Sequence, residues 1–143
     1  ATCTGRGEKI RALPAQFPVT ALLILPAINA STKEVYGHYV NDDALYRRLR
    51  DQINAHLHEN RIDLVTRMCA NMLQRSCFHL YEEIGELKEA VESLGLEPVC
   101  LSGSGSAMFH LFDAADAERP QRVCRDVADR TGCRCIIVRN SRW

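Results

Sequence analysis

The sequence lacks an excess of charge of either sign. Lysine and arginine total 18, aspartate and glutamate also total 18, and the formal net charge at pH 7 is zero. No long-range field would therefore draw the chain to nucleic acid or to an anionic membrane surface. We expect neither nucleic acid nor a membrane among its partners.

Long hydrophobic runs are also absent. The longest apolar stretch, residues 19–28, contains Thr20 and Pro26 and is much shorter than the roughly 20 residues that span a bilayer. No basic-then-apolar signal segment opens the sequence. These absences predict a soluble, cytoplasmic protein.

The seven cysteines lack the spacing of a metal site or of a disulfide framework. Their number is odd and no Cys-x-x-Cys pair occurs, whereas a tetrahedral zinc site needs four converging ligands. Most of them stand at apolar positions, where a reduced thiol behaves as a small hydrophobe, and Cys133 and Cys135 are expected to face opposite sides of a strand. His56 and His58 are expected to point to different sides of a helix. We predict core thiols and no metal site.

A set of nucleophile, base and orienting residue is not recognisable either. The acidic residues between Glu82 and Glu92 alternate with Lys88 and are expected to form the solvated side of a helix. We therefore predict no catalytic residue within these 143 positions.

The composition that remains is that of one globular domain. A hydrophobic fraction of 46% and a charged fraction of 25% are ordinary for a domain with its own core. Residues 20–25 form an apolar run closed by Pro26, which predicts a buried strand. Further strands are predicted at residues 98–101, 107–112 and 134–138.

Capping residues and helical spacing predict helices between these strands. Ser31 or Thr32 caps a helix that runs to Val40, and the segment 41–43 caps a second one. A third helix is expected after Asn60, with residues 65, 68, 69, 72 and 73 on one face, and a last one at 118–131. The clearest helix, about residues 80–94, has apolar residues in a 4-3-4-3 spacing and stops at Gly95: Leu80, Ile84, Leu87, Val91 and Leu94.

The order of these elements predicts an α+β fold. From residue 20 onward the plan is β-α-β-β-α-β, with additional helices after the first strand, which is the ferredoxin-like split β-α-β arrangement. We expect a four-stranded antiparallel sheet with helices packed on one face, in one domain that covers residues 1–143.

A polar segment lies between two of the predicted strands. Glycines let successive backbone amides approach an anion, but no Gly-Lys-Ser/Thr follows, as it would in a P-loop, and a strand follows where a dinucleotide fingerprint has a helix. From the residues alone, two interpretations of this segment are equally favoured: a plain hairpin connection and a functional loop. The segment consists of Ser102, Gly103, Ser104, Gly105 and Ser106.

Thr32 and Tyr36 are four residues apart on the first predicted helix and so share a face. A hydroxyl and an aromatic ring on one face can hold a polar ligand with a flat base, because aromatic rings stack on nucleobases. The simpler alternative is a helix cap followed by a half-buried tyrosine.

Several segments occur together in an order that resembles a known family. They are Gly5-Arg6-Gly7-Glu8, then Pro26 with Ser31-Thr32 and Val35-Tyr36, then Asn71 with Leu73, then residues 101–106 ahead of Phe109 and Phe112. The segment 102–106 is similar to the third conserved motif of the GHMP kinase superfamily. The first two segments resemble the family of 4-diphosphocytidyl-2-C-methyl-D-erythritol kinases, from whose pattern Ala27, Met72 and Gln74 depart.

The resemblance implies the C-terminal domain of a GHMP kinase. Such an enzyme uses ATP and Mg²⁺ to phosphorylate a hydroxyl of 4-diphosphocytidyl-2-C-methylerythritol, in non-mevalonate isoprenoid biosynthesis. The resemblance implies that Thr32 faces the substrate pocket, that Tyr36 stacks on the cytosine, and that residues 102–106 lie at the phosphate end of the cleft. It also implies that residues 1–18 end a preceding N-terminal domain, which carries the ATP loop and the catalytic lysine and aspartate.

None of those three catalytic elements is within the 143 residues, so this chain alone is expected not to catalyse and to bind ATP weakly or not at all. Some self-association is expected through the surface on which the N-terminal domain would pack. Two alternatives stay open. One is another GHMP kinase, acting on mevalonate, homoserine or a sugar; the other is a ferredoxin-like domain that binds a small ligand or a protein without chemistry.

Overall fold

The computed structural model describes residues 1–12, 19–68, 70–112 and 118–139. Cys69 and residues 13–18, for which the sequence made predictions, lie outside the described residues. No helix within these ranges is both long and apolar enough to cross a membrane. The elements are β1 (Thr2–Thr4), β2 (Lys9–Arg11), β3 (Thr20–Leu25), α1 (Thr32–Gly37), α2 (Asp43–His58), α3 (Ile62–Arg67), α4 (Gln74–Leu80), α5 (Glu82–Glu92), β4 (Cys100–Leu101), β5 (Met108–Phe112), α6 (Arg119–Thr131) and β6 (Arg134–Arg139).

Four of the strands form one antiparallel sheet, in the order β4-β5-β3-β6. The central strand β3 pairs with β5 and with β6, so that Leu22 stands opposite both His110 and Ile137. β4 pairs with the other edge of β5. Counted along the chain, the four strands of this sheet lie in the order 2-3-1-4, which is the split β-α-β arrangement. The predicted ferredoxin-like α+β class is confirmed.

One face of this sheet packs into a core that includes α5 and α6. Leu22 and Ile24 of β3 and Met108 of β5 have no exposed surface. They belong to one core cluster with buried residues of the two helices. The helical residues are Ile84 and Val91 of α5, which the 4-3-4-3 spacing had placed inward, and Val127 of α6.

The opposite face of the sheet is apolar but only partly covered. Leu23 and Ile136 are half-buried there, and Val138 is 37% exposed. A hollow of about 260 Å³ lies at the β4–β5 end of this face, lined by Ile53 of α2 and Phe109 of β5 among others. The apolar stripe of α2 contains no buried residue.

Three predicted helix boundaries were wrong. α1 ends at Gly37 rather than Val40, where the His38 backbone N–H donates back to the Glu34 carbonyl at 3.0 Å. The third predicted helix is two helices, α3 and α4, because the segment between them adopts a non-helical course around Asn71. α5 begins at Glu82 because Tyr81, with a φ of −132°, interrupts the helical path after α4.

β1 and β2 form a separate two-stranded hairpin. Its turn contains the Gly5-Arg6-Gly7-Glu8 segment, in which the Arg6 N–H donates to the Glu8 carboxylate at 2.6 Å. The hairpin has no buried residue, and Ile10 is 71% exposed. The sequence had marked the segment 5–8 only as part of a motif, and the strands paired on either side of it were not predicted.

The cysteines follow the prediction of free thiols with one exception. Five of those described are free, whereas Cys100 is disulfide-bonded, so a reduced thiol was the wrong prediction there. Cys133 and Cys135 both pack against the core. The prediction that they face opposite sides of the strand was wrong, because residues two apart on an extended chain share a face. Burial, with Cys124 and Cys133 nearby, raises the pKa of Cys135 to about 11.

Candidate functional site

The short helix α1 begins with an N-terminal cap. The Ser31 hydroxyl accepts a hydrogen bond from the Glu34 backbone N–H at 3.3 Å, which satisfies one amide that a helix start leaves unpaired. Val35 is fully buried in the core cluster, whereas Thr32 and Tyr36 are exposed. The Tyr36 side of the helix is open to solvent at 61% exposure, more than a half-buried tyrosine would show.

Residues 102–106 connect β4 to β5 as a tight hairpin loop. The Ser102 N–H donates to the Ala107 carbonyl at 2.9 Å, and the Gly105 N–H donates to the Ser102 carbonyl at 3.0 Å. The amides of Gly103, Ser104 and Ser106 donate to no acceptor within the described residues. The loop is thus a hairpin connection that also presents backbone amides able to meet an anion.

Gly105 packs the loop closely against α4. Its φ is +93°, and a methyl group added to it would stand 2.8 Å from Cys77 Sγ. Neither the backbone conformation nor the space accepts a side chain. Burial raises the pKa of the Cys77 thiol, so a neutral sulfur lies beneath the loop.

Asn71 holds the other side of the loop. Its side-chain amide donates to the carbonyls of Leu101 and Gly103, both at 2.8 Å. Its oxygen accepts from the Leu73 backbone N–H at 2.9 Å. One side chain therefore ties the segment between α3 and α4 to the start of the loop. The sequence had marked Asn71 only as part of a motif, without this role.

The first turn of α1 and the loop are in direct contact. Thr32 Oγ1 and Ser104 Oγ lie 3.0 Å apart and share a hydrogen bond, although the two residues are 72 positions apart in the sequence. The structure therefore brings two predicted site segments together, with Tyr36 one helical turn beyond Thr32.

Tyr81 lies behind this contact and was missed by the sequence analysis. Its hydroxyl accepts from the Ser31 backbone N–H at 3.0 Å and donates to Glu34 Oε2 at 2.8 Å. The Ser31 N–H lowers the pKa of the Tyr81 phenol, but the Glu34 carboxylate raises it, and the net pKa is above its ordinary value. The phenol therefore keeps its proton at neutral pH and can donate it.

The candidate site can bind and orient but contains no proton acceptor of its own. Thr32, Tyr36 and residues 102–106 supply hydroxyls, a ring and amides, and no carboxylate or amine. No group of three or more histidine, cysteine, aspartate or glutamate side chains that could hold a metal ion occurs among the described residues. We therefore derive no step through a metal held by this part of the chain.

The hollows between the elements lie away from these residues. One of about 630 Å³ is lined by Ile10 of the hairpin and Leu57 of α2, and one of about 440 Å³ by His38 and Arg75. Neither includes Thr32, Tyr36 or the loop. Ligand sites normally enclose most of a small ligand, whereas the surface at Thr32 and Tyr36 is exposed.

Comparison with known proteins identifies the family. A family model described as "GHMP kinases C terminal" matches residues 49–129, which is more than half of the chain. The match covers α3 to α5, the loop 102–106 and most of α6.

Two curated relatives carry the same name. A 4-diphosphocytidyl-2-C-methyl-D-erythritol kinase of Geobacillus sp. (strain WCH70) is 32% identical over 111 residues, which cover 78% of this chain and 38% of the relative. The enzyme of that name from Syntrophotalea carbinolica is 28% identical over 138 residues, which cover 96% of this chain and 47% of the relative. The chain thus spans less than half the length of these relatives.

Solved structures agree with the sequence comparisons. A crystal structure of 4-(cytidine 5'-diphospho)-2C-methyl-D-erythritol kinase superposes with a TM-score of 0.60 at 27% identity, covering 94% of this chain and 47% of that one. Homoserine kinase from Cytophaga hutchinsonii gives the same TM-score at 19% identity, which shows the shared fold alone. The chain belongs to the GHMP kinases and contains their C-terminal domain.

Proposed function

We propose that this chain is the C-terminal, substrate-binding part of an ATP-dependent kinase that phosphorylates 4-diphosphocytidyl-2-C-methyl-D-erythritol in non-mevalonate isoprenoid biosynthesis. The observation that carries the proposal is the contact between Thr32 and Ser104, with the Tyr36 ring exposed on the same helix. An aromatic face, a hydroxyl and an amide-bearing loop follow one another along one surface. This order matches a ligand that has a nucleobase at one end and, at the other, the hydroxyl that receives the phosphoryl group.

Each site residue has a distinct role in this proposal. The ring of Tyr36 stacks on the cytosine, as exposed aromatic rings do on nucleobases. Thr32 hydrogen-bonds the alcohol part of the substrate. The loop, Ser102 to Ser106, lies near the transferred phosphate, where amides stabilise negative charge, and phosphoryl transfer depends mainly on such positioning and charge stabilisation.

The remaining chemistry belongs to another part of the full-length protein. The bond between the γ-phosphorus of ATP and its bridging oxygen breaks, a bond to the alcohol oxygen forms, and the alcohol proton passes to a base outside this chain. ATP and Mg²⁺ are cofactors of the full-length protein only. We assign the ATP loop and the catalytic lysine and aspartate to the N-terminal domain, whose last part is residues 1–18, and place the enzyme in the cytoplasm, where ATP is supplied.

The partly covered face of the sheet supports the proposal that another domain of the full-length protein packs on it. Leu23, Ile136 and Val138 are apolar residues of this face that keep exposed area, and apolar patches of this kind mark contact surfaces. The N-terminal domain is the proposed partner. Without it, this chain is expected to self-associate weakly through the same face.

The decisive experiment follows ADP release by the full-length protein. Each reaction contains ATP, Mg²⁺ and one alcohol: 4-diphosphocytidyl-2-C-methylerythritol, mevalonate or homoserine. Release with the cytidine compound alone is the expected result, and this chain alone should release none. Release with another alcohol would keep the kinase class and overturn the substrate; release with none would favour a binding domain without chemistry.

The role of Tyr36 has its own test in the same assay. Tyr36→Ala should raise KM for the cytidine substrate about tenfold or more, because stacking on one base is worth about 1–3 kcal/mol. The matched control is Tyr46→Ala, which removes a ring that is 51% exposed on α2. An equal effect of both substitutions would contradict the assignment.

A further inference from the structure

We propose that Tyr81 is a positioning residue for the substrate-binding helix α1, a role that rests on the proposed function. Its hydroxyl completes the N-terminal cap of α1 from a distant part of the fold. It thereby sets the placement of Thr32 and Tyr36 without touching the substrate.

The arrangement is a capping box with a tyrosine hydroxyl inserted into it. In an ordinary capping box, serine at the cap and glutamate three residues later bond directly to each other's backbone amides. Ser31 and Glu34 have this spacing, and the Ser31 hydroxyl does accept from the Glu34 N–H. The return bond is bridged: the Ser31 N–H donates to the Tyr81 hydroxyl, which donates to the Glu34 carboxylate.

Tyr81 is itself firmly held. Its backbone N–H donates to the Cys77 carbonyl at 2.9 Å, and its carbonyl accepts from the Ile84 N–H at 3.0 Å, so it is bonded to both α4 and α5. Its ring packs against the core cluster. The hydroxyl is therefore a fixed point to which α1 can be attached.

α1 needs such a fixed point because it cannot define its own position. It has six residues, and helices much shorter than about 12–15 residues are marginal without tertiary contacts. Val35 is its one buried residue. The end of α1 is attached by the Ser76 hydroxyl, which donates to the His38 carbonyl at 3.1 Å. At the first turn, the Tyr81 bridge adds to the hydrogen bond between Thr32 and Ser104 and is the attachment that also satisfies the cap.

The position of α1 decides where the candidate site residues lie. Thr32 directly follows Ser31 and meets Ser104 at 3.0 Å, and Tyr36 follows one turn later. Loss of the bridge should therefore weaken binding of the alcohol substrate, which uses both residues. Binding of ATP, assigned to the other domain, should not change.

Tyr81→Phe in the full-length protein tests the proposal, because it removes the hydroxyl and keeps the ring. We expect KM for the cytidine substrate to rise about tenfold, the size of one charge-assisted hydrogen bond, with KM for ATP unchanged. Tyr39→Phe is the matched control: it removes a hydroxyl that donates to Asn41 at 3.4 Å, just beyond α1. An unchanged KM for the alcohol in Tyr81→Phe would overturn the proposal.

Substitutions of Glu34 separate positioning from general stability. Glu34→Gln keeps an acceptor for the Tyr81 hydroxyl and should retain most of the affinity, whereas Glu34→Ala should raise the same KM several-fold. Similar KM values for these two variants would contradict a role for the bridge.

Hydrogen exchange gives a readout that does not depend on turnover. In the full-length protein, the amides of Ser31 and Val35 should exchange about tenfold faster in Tyr81→Phe and at the wild-type rate in Tyr39→Phe. If the wild-type enzyme turns over none of the alcohols, the proposed function fails and exchange alone decides the role of Tyr81. Unchanged exchange at α1 would then overturn it.

Discussion

The two faces of the four-stranded sheet contain similar residues but differ in what covers them. On one face, Leu22, Ile24 and Met108 are fully buried under α5 and α6. On the other face, Leu23 of β3 and Ile136 of the adjacent strand β6 are only half-buried. Successive side chains of β3 point to opposite faces of the sheet, and nearly all of them are aliphatic. Both faces of the strand are therefore apolar.

The first face is therefore a finished core, whereas the second is an apolar surface that keeps exposed area. A strand buried on both faces reads as a continuous apolar run, and the run at residues 20–25 is of that kind. The covering layer of the second face is incomplete in this chain, which spans under half the length of its relatives. α2 shares this property, since its apolar stripe has no buried residue.

The largest effect should come from truncation on the finished face. Ile24→Ala should lower the free energy of unfolding of this chain by about 2–5 kcal/mol, because the buried cavity cannot collapse fully. Leu49→Ala, on the half-buried stripe of α2, should cost about 1 kcal/mol or less. Urea denaturation of both variants measures the contrast, and equal losses would show that α2 belongs to the finished core.

The loop between β4 and β5 also contains one packed and one open position, at Gly105 and Gly103. Gly105→Ala should destabilise the chain by about 2–4 kcal/mol, since a positive φ and the close Cys77 sulfur both oppose a side chain. Gly103 has a φ of +57° but nothing within 4 Å of an added methyl group. Gly103→Ala should therefore cost only about 1–2 kcal/mol of backbone strain. The difference in urea midpoint between these two variants isolates the packing contact.

Asn71 ties the segment between α3 and α4 to the loop 102–106. Its loss should lower the free energy of unfolding by an intermediate amount. Asn71→Ala leaves two part-buried groups without their partner and should cost roughly 1–3 kcal/mol. Asn41→Ala removes an exposed amide that donates to Asp43 at 2.9 Å and should cost less than about 0.5 kcal/mol. In the full-length enzyme, Asn71→Ala should also lower kcat/KM. If urea denaturation showed the two variants to be equally stable, Asn71 would not be a support of the loop.

The smallest effect on stability is expected from a charge on the open face. Val138→Glu should leave the urea midpoint of this chain nearly unchanged, because the side chain is already 37% exposed. It should nevertheless abolish concentration-dependent association in sedimentation, since a carboxylate would be buried unpaired at the contact. Gln121→Glu, on the exposed side of α6, serves as the charge control, and equal sedimentation of both variants would place self-association elsewhere.

Local sequence patterns were sufficient for the elements that pack on the finished face. The spacing from Leu80 to Leu94 predicted the inward residues of α5, and the apolar run 20–25 predicted β3 with its observed bounds. The cap at Ser31 was also predictable, because the cap and its partner are three residues apart. In each case the deciding contacts are local or periodic in the chain.

The failures have a common physical cause in contacts between distant residues. The apolar pattern continues from α3 into α4, and only the bonds from Asn71 to Leu101 and Gly103 show why the helix breaks. Tyr81 meets Ser31 across 50 positions, a contact that no single-sequence pattern reveals. The shared face of Cys133 and Cys135, in contrast, was available from strand periodicity alone.

The resemblance to a kinase family indicated the candidate site residues, but it gave Asn71 no supporting role and did not include Tyr81. Thr32, Tyr36 and the loop were indicated by motif, and the structure adds that Thr32 and Ser104 touch. Asn71 and Tyr81, which hold these segments from behind, carry no recognisable chemistry in the sequence. Their importance follows from hydrogen-bond geometry that exists only in the folded chain.

The cysteine beneath Gly105 gives the loop a natural reporter. Cys77 is free and fully buried, so an alkylating reagent can reach its sulfur only when the surrounding structure opens. The rate of its modification therefore records how often the loop lifts from α4, on the timescale of local unfolding. A bound phosphate-bearing ligand that holds the loop down would lengthen the lifetime of this thiol, which makes occupancy measurable by mass spectrometry without any turnover.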